Sequence, residues 1–204
     1  MVILGLTGSI AMGKSTAAAA FRRLRVPVHD SDAEIHKLLG PRGAAVAAVE
    51  AAFPGVVKGG AVDRQALGAR VFGDPAALSR LEAILHPLVG RARERFLRTN
   101  TARGRRVVVF DIPRLYEVGA DKLCDAVVVV SAPRFLQRLR VLRRPGMSEE
   151  RLAAILARQM PDGEKRRRAD FVVPTGLGRA ESLRHIRIVV KVAYMMSGCH
   201  WPPR

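Results

Sequence analysis

The chain has 204 residues, enough for one compact domain with a small appended lobe, and its 35 Lys+Arg against 18 Asp+Glu give a formal net charge of +17. Apolar residues make up 49% and aromatics only 5%, so a core of Leu, Ile, Val and Ala can be buried and a disordered chain is excluded. Two distant cysteines, Cys124 and Cys199, exclude a disulfide scaffold; no apolar run of about 18 residues predicts a transmembrane helix, and no basic region or cleavage site marks a signal peptide.

A reducing cytoplasm fits these features. The charge points to an anionic partner, whether nucleic acid, a membrane surface or a phosphorylated small molecule.

The first predicted element is an apolar strand over 2–7, ending at Gly8 and suited to burial on both faces. A helix follows over 14–24, with four alanines before Phe21 and Leu24. A second short strand after Pro27 stops at His29-Asp30-Ser31-Asp32. From 33 to 103 helical patterns dominate, broken at Gly40-Pro41, Pro54-Gly55, Gly59-Gly60, Asp74-Pro75 and His86-Pro87. Within this insertion Asp63 caps a helix over 64–72, and two further helices, 76–85 and 88–99, flank Pro87. Strands return at 106–111, at 126–131 and weakly at 170–173. Helices are expected near 133–143, at 148–159 behind a Ser148 N-cap, and at 179–196. The tail from Ser197 to Arg204 reads as loose. This alternation predicts an α/β fold with a mostly parallel sheet and helices on both faces, without internal repeats.

Gly8-Ser9-Ile10-Ala11-Met12-Gly13-Lys14-Ser15 fits G-x-x-x-x-G-K-[ST], placed between a strand and a helix as a phosphate loop requires. Glycine lets the backbone curl so that its amides point at a phosphate, and the helix adds its positive end. Lys14 would reach the terminal phosphates, and Ser15 would offer a hydroxyl to Mg²⁺. Ligands of parallel sheets lie beyond the carboxyl ends of the strands, where Asp30 and Asp32 are expected. Asp32 is favoured as the base that takes a proton from an attacking hydroxyl, although either residue could instead cap the next helix. Asp111 ends the third strand as a Mg²⁺-orienting acid or as a cap.

Cations crowd the chain from Arg134 to Arg168. Arg140 and Arg144, four apart on one expected helix face, are favoured to stabilise a transferring phosphoryl group from a mobile lid. His86 is read as a helix-ending histidine or a substrate contact. Cys124, Cys199 and His200 lack metal-ligand spacing, and Cys124 reads as core.

With these residues in view, the chain resembles the dephospho-CoA kinase family from about residue 2 to about 190. The matching blocks are Gly5–Ile10 with Gly13-Lys14-Ser15-Thr16, Val26–Asp32, Leu81–Val89 with His86-Pro87-Leu88, Asp111-Ile112-Pro113 with Leu115-Tyr116-Glu117, Gln159, and Lys165–Asp170. The resemblance implies a five-stranded parallel P-loop kinase sheet formed by 1–32, 104–132 and 169–196. It implies a helical CoA-binding insertion at 33–103 and a helical lid at 133–168. ATP would phosphorylate the ribose 3′-hydroxyl of dephospho-CoA, with Mg²⁺ as cofactor. Catalysis would fall to Asp32, Lys14 and Arg140. Nucleotide binding would fall to Gly8, Ala11, Met12, Gly13, Lys14, Ser15, Thr16 and Arg144, substrate binding to Asp30 and His86, and Mg²⁺ to Ser15 and Asp111. Neither nucleic acid nor a membrane is required, and a monomer or weak homo-oligomer is expected.

Three departures stand out. Ala11 replaces a usual glycine, which is costly only if its φ is positive. Arg114 replaces an apolar residue. Val173-Pro174-Thr175-Gly176 replaces the usual adenine-side loop. Another small-molecule P-loop kinase is the alternative reading, and a basic nucleic-acid binder or nucleotide switch is a third. The third lacks both a guanine-recognition motif and interleaved aromatics for base stacking.

Overall fold

A computed structural model describes residues 1–202; the last two positions of the expected loose tail, 203 and 204, lie outside the described residues. The chain divides into two compact units, Met1–His29 with Asn100–Arg204, and Asp30–Thr99.

The first unit is built on a five-stranded parallel sheet. Its central strand β1 (Val2–Thr7) lies between β5 (Val107–Asp111) and β6 (Ala126–Ser131). β7 (Phe171–Pro174) extends the sheet beyond β6, and the three-residue β2 (Val28–Asp30) borders β5, giving the order β2-β5-β1-β6-β7. Every residue of β1, β5 and β6 is buried, as continuous apolar runs in a sheet covered on both faces require. On one face Leu4 and Leu6 join Val109 and Val128 in a core with Phe21 of α1 (Lys14–Arg23) and Ile186 and Val189 of α9 (Arg179–Met195). On the other face Gly5 is needed for space: a Cβ there would stand 2.6 Å from Leu115 Cδ1 and 2.9 Å from Cys124 Sγ. Cys124 is indeed core, its thiol directed at the Ala120 carbonyl.

The turn from β1 to α1 is strained. Gly13, at φ 90°, ends it in the left-handed region, and Ala11 lies there too at φ 58°. The methyl group of Ala11 therefore falls where it is costly, by about 1–2 kcal/mol.

Between β6 and β7 run α6 (Arg134–Leu142), α7 (Glu149–Ala157) and α8 (Asp162–Arg168). Ser148 caps α7 by accepting the Arg151 amide, and Arg138 pairs with Glu149 to join α6 and α7. α8 emerges from the cation run, which reads as a solvated face in the sequence. Lys165 breaks that reading: it is wholly buried, its ammonium 2.9 Å from Glu117 Oε1, which also accepts the Met160 amide at 2.9 Å. Burial pushes the Glu117 carboxyl up, but Lys165 and the Met160 amide outweigh it and hold the group below its ordinary value. Tyr116, beside Glu117, lies under the Arg168 guanidinium at 4.4 Å. Leu115, Tyr116 and Glu117 thus fix the loop after β5 to the sheet and to α8.

The tail is not loose over its described part. Trp201 Nε1 donates to Thr101 Oγ1 at 2.8 Å, the terminal ammonium reaches the Trp201 carbonyl at 3.2 Å, and Asp125 accepts the Cys199 amide at 2.7 Å.

The second unit contains α2 (Ser31–Leu39), α3 (Val46–Ala52), α4 (Arg64–Val71) and α5 (Pro75–Ala102), whose last turn belongs to the first unit. Asp63 caps α4 through the amides of Gln65 and Ala66. Gly59-Gly60, expected only to break helices, makes the turn of a β3 (Val57–Lys58)–β4 (Ala61–Val62) hairpin, with both φ positive as a tight antiparallel turn demands. Pro87 does not separate two helices; it lies inside α5. An internal proline costs about 3 kcal/mol. Here it is exposed, while Ala77, Leu81 and Leu85 before it and Leu88 after it stay in register on the apolar cluster. Packing on both sides of Pro87 outweighs the local defect.

Ala11→Gly is expected to raise unfolding free energy in urea by about 0.5–1 kcal/mol, the relieved strain less glycine's extra unfolded-state entropy; an unchanged or lowered midpoint would show that Ala11 is not strained. Glu117→Gln, which leaves Lys165 buried without its anion, is expected to destabilise by about 3 kcal/mol, with partial recovery in the Glu117→Gln/Lys165→Met double variant. Because folding lowers the Glu117 pKa, its stabilisation holds above the unfolded-state value and fades as pH falls through the folded one. Acid titration of the wild type should lose this increment, and that of the double variant should not.

Candidate active site

The carboxyl end of β1 leads through Gly8 into the loop that opens α1. Gly8 is fixed by space, since a side chain there would collide with Val130 of the neighbouring strand. α1 begins without a side-chain cap and without an acid in its first turn, so the amides at its positive end are left for an external anion. Lys14, the first helical residue, sets its ammonium 2.7 Å from Asp111 Oδ1 at the end of adjacent β5. The lysine side chain is 18% exposed and the aspartate side chain 4%, so the pair balances charge where solvent screening is weak. Ser15 and Thr16 follow on the exposed side of the first turn.

The back of the loop is tied to distant parts of the same unit. Gln137 of α6 donates its side-chain amide to the Ile10 carbonyl at 2.9 Å, and Gln159 accepts the Ile10 amide at 3.1 Å. The Met12 carbonyl accepts the Thr175 hydroxyl at 2.7 Å, and Met12 Sδ lies 3.1 Å from the Ala132 amide. Thr175 also packs the glycine at position 13: a Cβ on Gly13 would touch its side chain at 3.3 Å. Arg140 bridges the same region, donating to the Thr175 carbonyl at 2.7 Å and the Ala11 carbonyl at 3.4 Å. These bonds satisfy the outward side of a backbone whose inward side must serve a ligand.

The expected residues are thus distributed as follows. Gly8, Ala11, Met12, Gly13, Lys14, Ser15 and Thr16 form one continuous loop and helix start, with Asp111 and Arg140 against it. Arg144 does not share a helix face with Arg140: α6 ends at Leu142, and Arg144, exposed, precedes Pro145, which disfavours helical backbone there. In the second unit Asp30 is the N-cap of α2, its carboxylate accepting the Ala33 amide at 3.0 Å. Asp32 is exposed in the first turn of that helix, and His86 is exposed on α5 rather than ending a helix.

Gln137 and Thr175 were not legible as site residues. Gln137 carries a weak signal, a polar residue four positions before buried Val141 on the same face of α6. Thr175 lies in the 173–176 segment expected on the adenine side, but its bond to the Met12 carbonyl has no local signal, because it follows from β7 lying beside β6.

The model of the dephospho-CoA kinase family matches residues 2–178. A curated relative from Paramagnetospirillum magneticum, named dephospho-CoA kinase, is 65% identical over 166 residues, covering 81% of this chain and 78% of its own length. A crystal structure of a Thermus thermophilus protein, 36% identical, superposes with a TM-score of 0.80 over 97% of this chain and 98% of that one. The dephospho-CoA kinase from Campylobacter jejuni, 25% identical, does so with 0.62 over 94% and 96%. With its phosphate loop, its parallel sheet and a family match across most of its length, the chain belongs to the dephospho-CoA kinase family.

Proposed function

We propose that the chain transfers the γ-phosphoryl group of ATP to the ribose 3′-hydroxyl of dephospho-CoA, releasing ADP and coenzyme A. The observation that carries the chemistry is the uncapped start of α1 with Lys14 held at 2.7 Å from Asp111. Oriented amides and a fixed cation form a cradle for the β- and γ-phosphates. Family membership supplies the acceptor.

Asp32, two residues beyond the end of β2, is the base that draws the proton from the 3′-hydroxyl. Asp30 and His86 bind dephospho-CoA, and the insertion 33–103 receives its CoA moiety. Residues 133–168 act as the lid, whose closure excludes water. Arg140 neutralises charge developing on the transferring group, and Arg144 approaches the nucleotide as the lid closes. The Ser15 hydroxyl and the Asp111 carboxylate are hard oxygen donors of the kind Mg²⁺ takes in ones or twos beside phosphate oxygens and water. Bound there, Mg²⁺ would supply charge neutralisation to the ATP phosphates. The partners are ATP and dephospho-CoA, and the chain acts as a monomer or weak homo-oligomer. No helix among the described residues is long and apolar enough to cross a membrane; a reducing cytoplasm is the setting we assign.

A coupled ADP-release assay with Mg·ATP, with and without dephospho-CoA, tests the reading. Dephospho-CoA-dependent release that Lys14→Ala abolishes is expected; no such release from folded, ATP-binding protein would overturn the acceptor. Asp32→Asn is expected to keep ATP affinity and lose about 10²–10⁴-fold in turnover. Wild-type turnover in that variant would remove Asp32 from the mechanism.

A further inference from the structure

The C-terminal residues bring a second constellation of reactive side chains together at the amino ends of the strands, opposite the phosphate loop. Asp125, immediately before β6, has a side chain only 2% exposed. Its Oδ2 accepts the Ile3 amide of β1 at 2.7 Å, which fixes the carboxylate plane and aims Oδ1 at the tail. Around Oδ1 lie Cys199 Sγ at 3.2 Å and His200 Nδ1 at 2.9 Å, and these two atoms are 3.3 Å apart. Carboxylate oxygen, sulfur and imidazole nitrogen therefore form a nearly equilateral triangle.

The triangle is of the size a transition metal needs. Ordinary zinc bonds of about 2.0–2.3 Å at tetrahedral angles separate such ligand atoms by about 3.3–3.6 Å, so each side need open by only a few tenths of an ångström. The tail is already held in place for this. Trp201 is bound to Thr101 and to the terminal ammonium. A side chain at Gly198 would strike the Met1 carbonyl, so the tail passes close against the start of β1. Cys199 and His200 are exposed, which leaves a solvent side for a fourth ligand.

We propose that Asp125, Cys199 and His200 form a divalent transition-metal site of zinc type, with water completing a tetrahedron and the metal joining the C-terminal tail to the amino ends of β1 and β6. Thiolate and imidazole ligands select such a metal over Mg²⁺ or Ca²⁺, which prefer oxygen donors. Binding replaces the proton on the Cys199 thiol, which leaves to solvent. The Ile3 amide serves as the outer partner that orients the carboxylate. Along the sequence Cys124, Cys199 and His200 lack metal-ligand spacing; the third donor, Asp125, lies 74 residues from Cys199, immediately before β6.

The test uses the tag-free 204-residue chain under a non-thiol reductant, titrated with Co²⁺ and separately with Zn²⁺. One equivalent of Co²⁺ is expected to give a near-ultraviolet sulfur-to-cobalt charge-transfer band, with visible bands of tetrahedral intensity. One equivalent of Zn²⁺ is expected to abolish the band and raise Tm. Cys199→Ser should remove the charge-transfer band. His200→Gln should weaken Co²⁺ affinity by more than about 10-fold, the least a lost ligand should cost given what outer-shell partners contribute. Both sites are exposed, so folding is not at stake. No charge-transfer band in the wild type, or a band and Zn²⁺ stoichiometry unchanged in Cys199→Ser, would overturn the proposal and leave the cluster a hydrogen-bonded latch.

Discussion

A phosphate loop must leave its inward amides available to a ligand, so its remaining backbone groups have to be satisfied from behind. That constraint organises much of the larger unit. The Ile10 carbonyl and amide are taken by Gln137 and Gln159, the Met12 carbonyl by Thr175, and the Ala11 carbonyl by Arg140. These groups come from α6, from the segment between α7 and α8, and from the end of β7. Gln159 is followed by Met160, whose amide is held by Glu117, which in turn pairs with buried Lys165. The loop, the segment after β5 and α8 thus share one polar network. In such a network each member holds its neighbours in place, and losing one charge leaves another exposed to a medium that cannot solvate it.

The acidic residues show how the positive surface arises. Asp30, Asp63 and Asp74 hold the amides at helix starts, Glu50 holds the amides of Gly55 and of Val57 at the start of β3, and Asp125 and Asp170 hold the amides of Ile3 and Val127. Asp162 accepts the Ser131 hydroxyl. Many of the 18 acids are held against backbone amides or buried partners, and the 35 cations outnumber them to leave a formal net charge of +17. The resulting field favours the approach of polyanions such as ATP and dephospho-CoA, and it is strongest at low ionic strength.

The legible features were those fixed by local chemistry. The strand-loop-helix context of Gly8–Ser15, the valine runs of β5 and β6, and the caps at Asp63 and Ser148 are each decided within a few residues, and each stands where it was expected. What could not be read depends on partners distant in sequence. Pro87 breaks a helix by every local rule, yet the apolar residues on both sides share one surface, and that packing prevails. Lys165 lies in a run of four cations, and nothing in the run says which one turns inward; Glu117, 48 positions earlier, decides it. Asp30 shows the ambiguity directly. Its position after a strand suits both a ligand contact and a helix cap; the cap is formed through Oδ1 alone, and Oδ2 takes no part in it.

Ala11 illustrates a different limit. Its replacement of glycine was visible in the sequence, but the sign of its effect rested on one dihedral angle. At φ 58° the methyl group is tolerated only because the loop is over-determined by Gln137, Gln159, Thr175 and Arg140. The same bonds that let the loop carry this strain also limit its movement, so its amides are presented in a fixed arrangement before any phosphate arrives. Preorganisation of this kind lowers the reorganisation needed when charge develops on the transferring group. A strained residue at this position is consistent with a site whose geometry is imposed by its surroundings rather than chosen by the loop's own conformational preference.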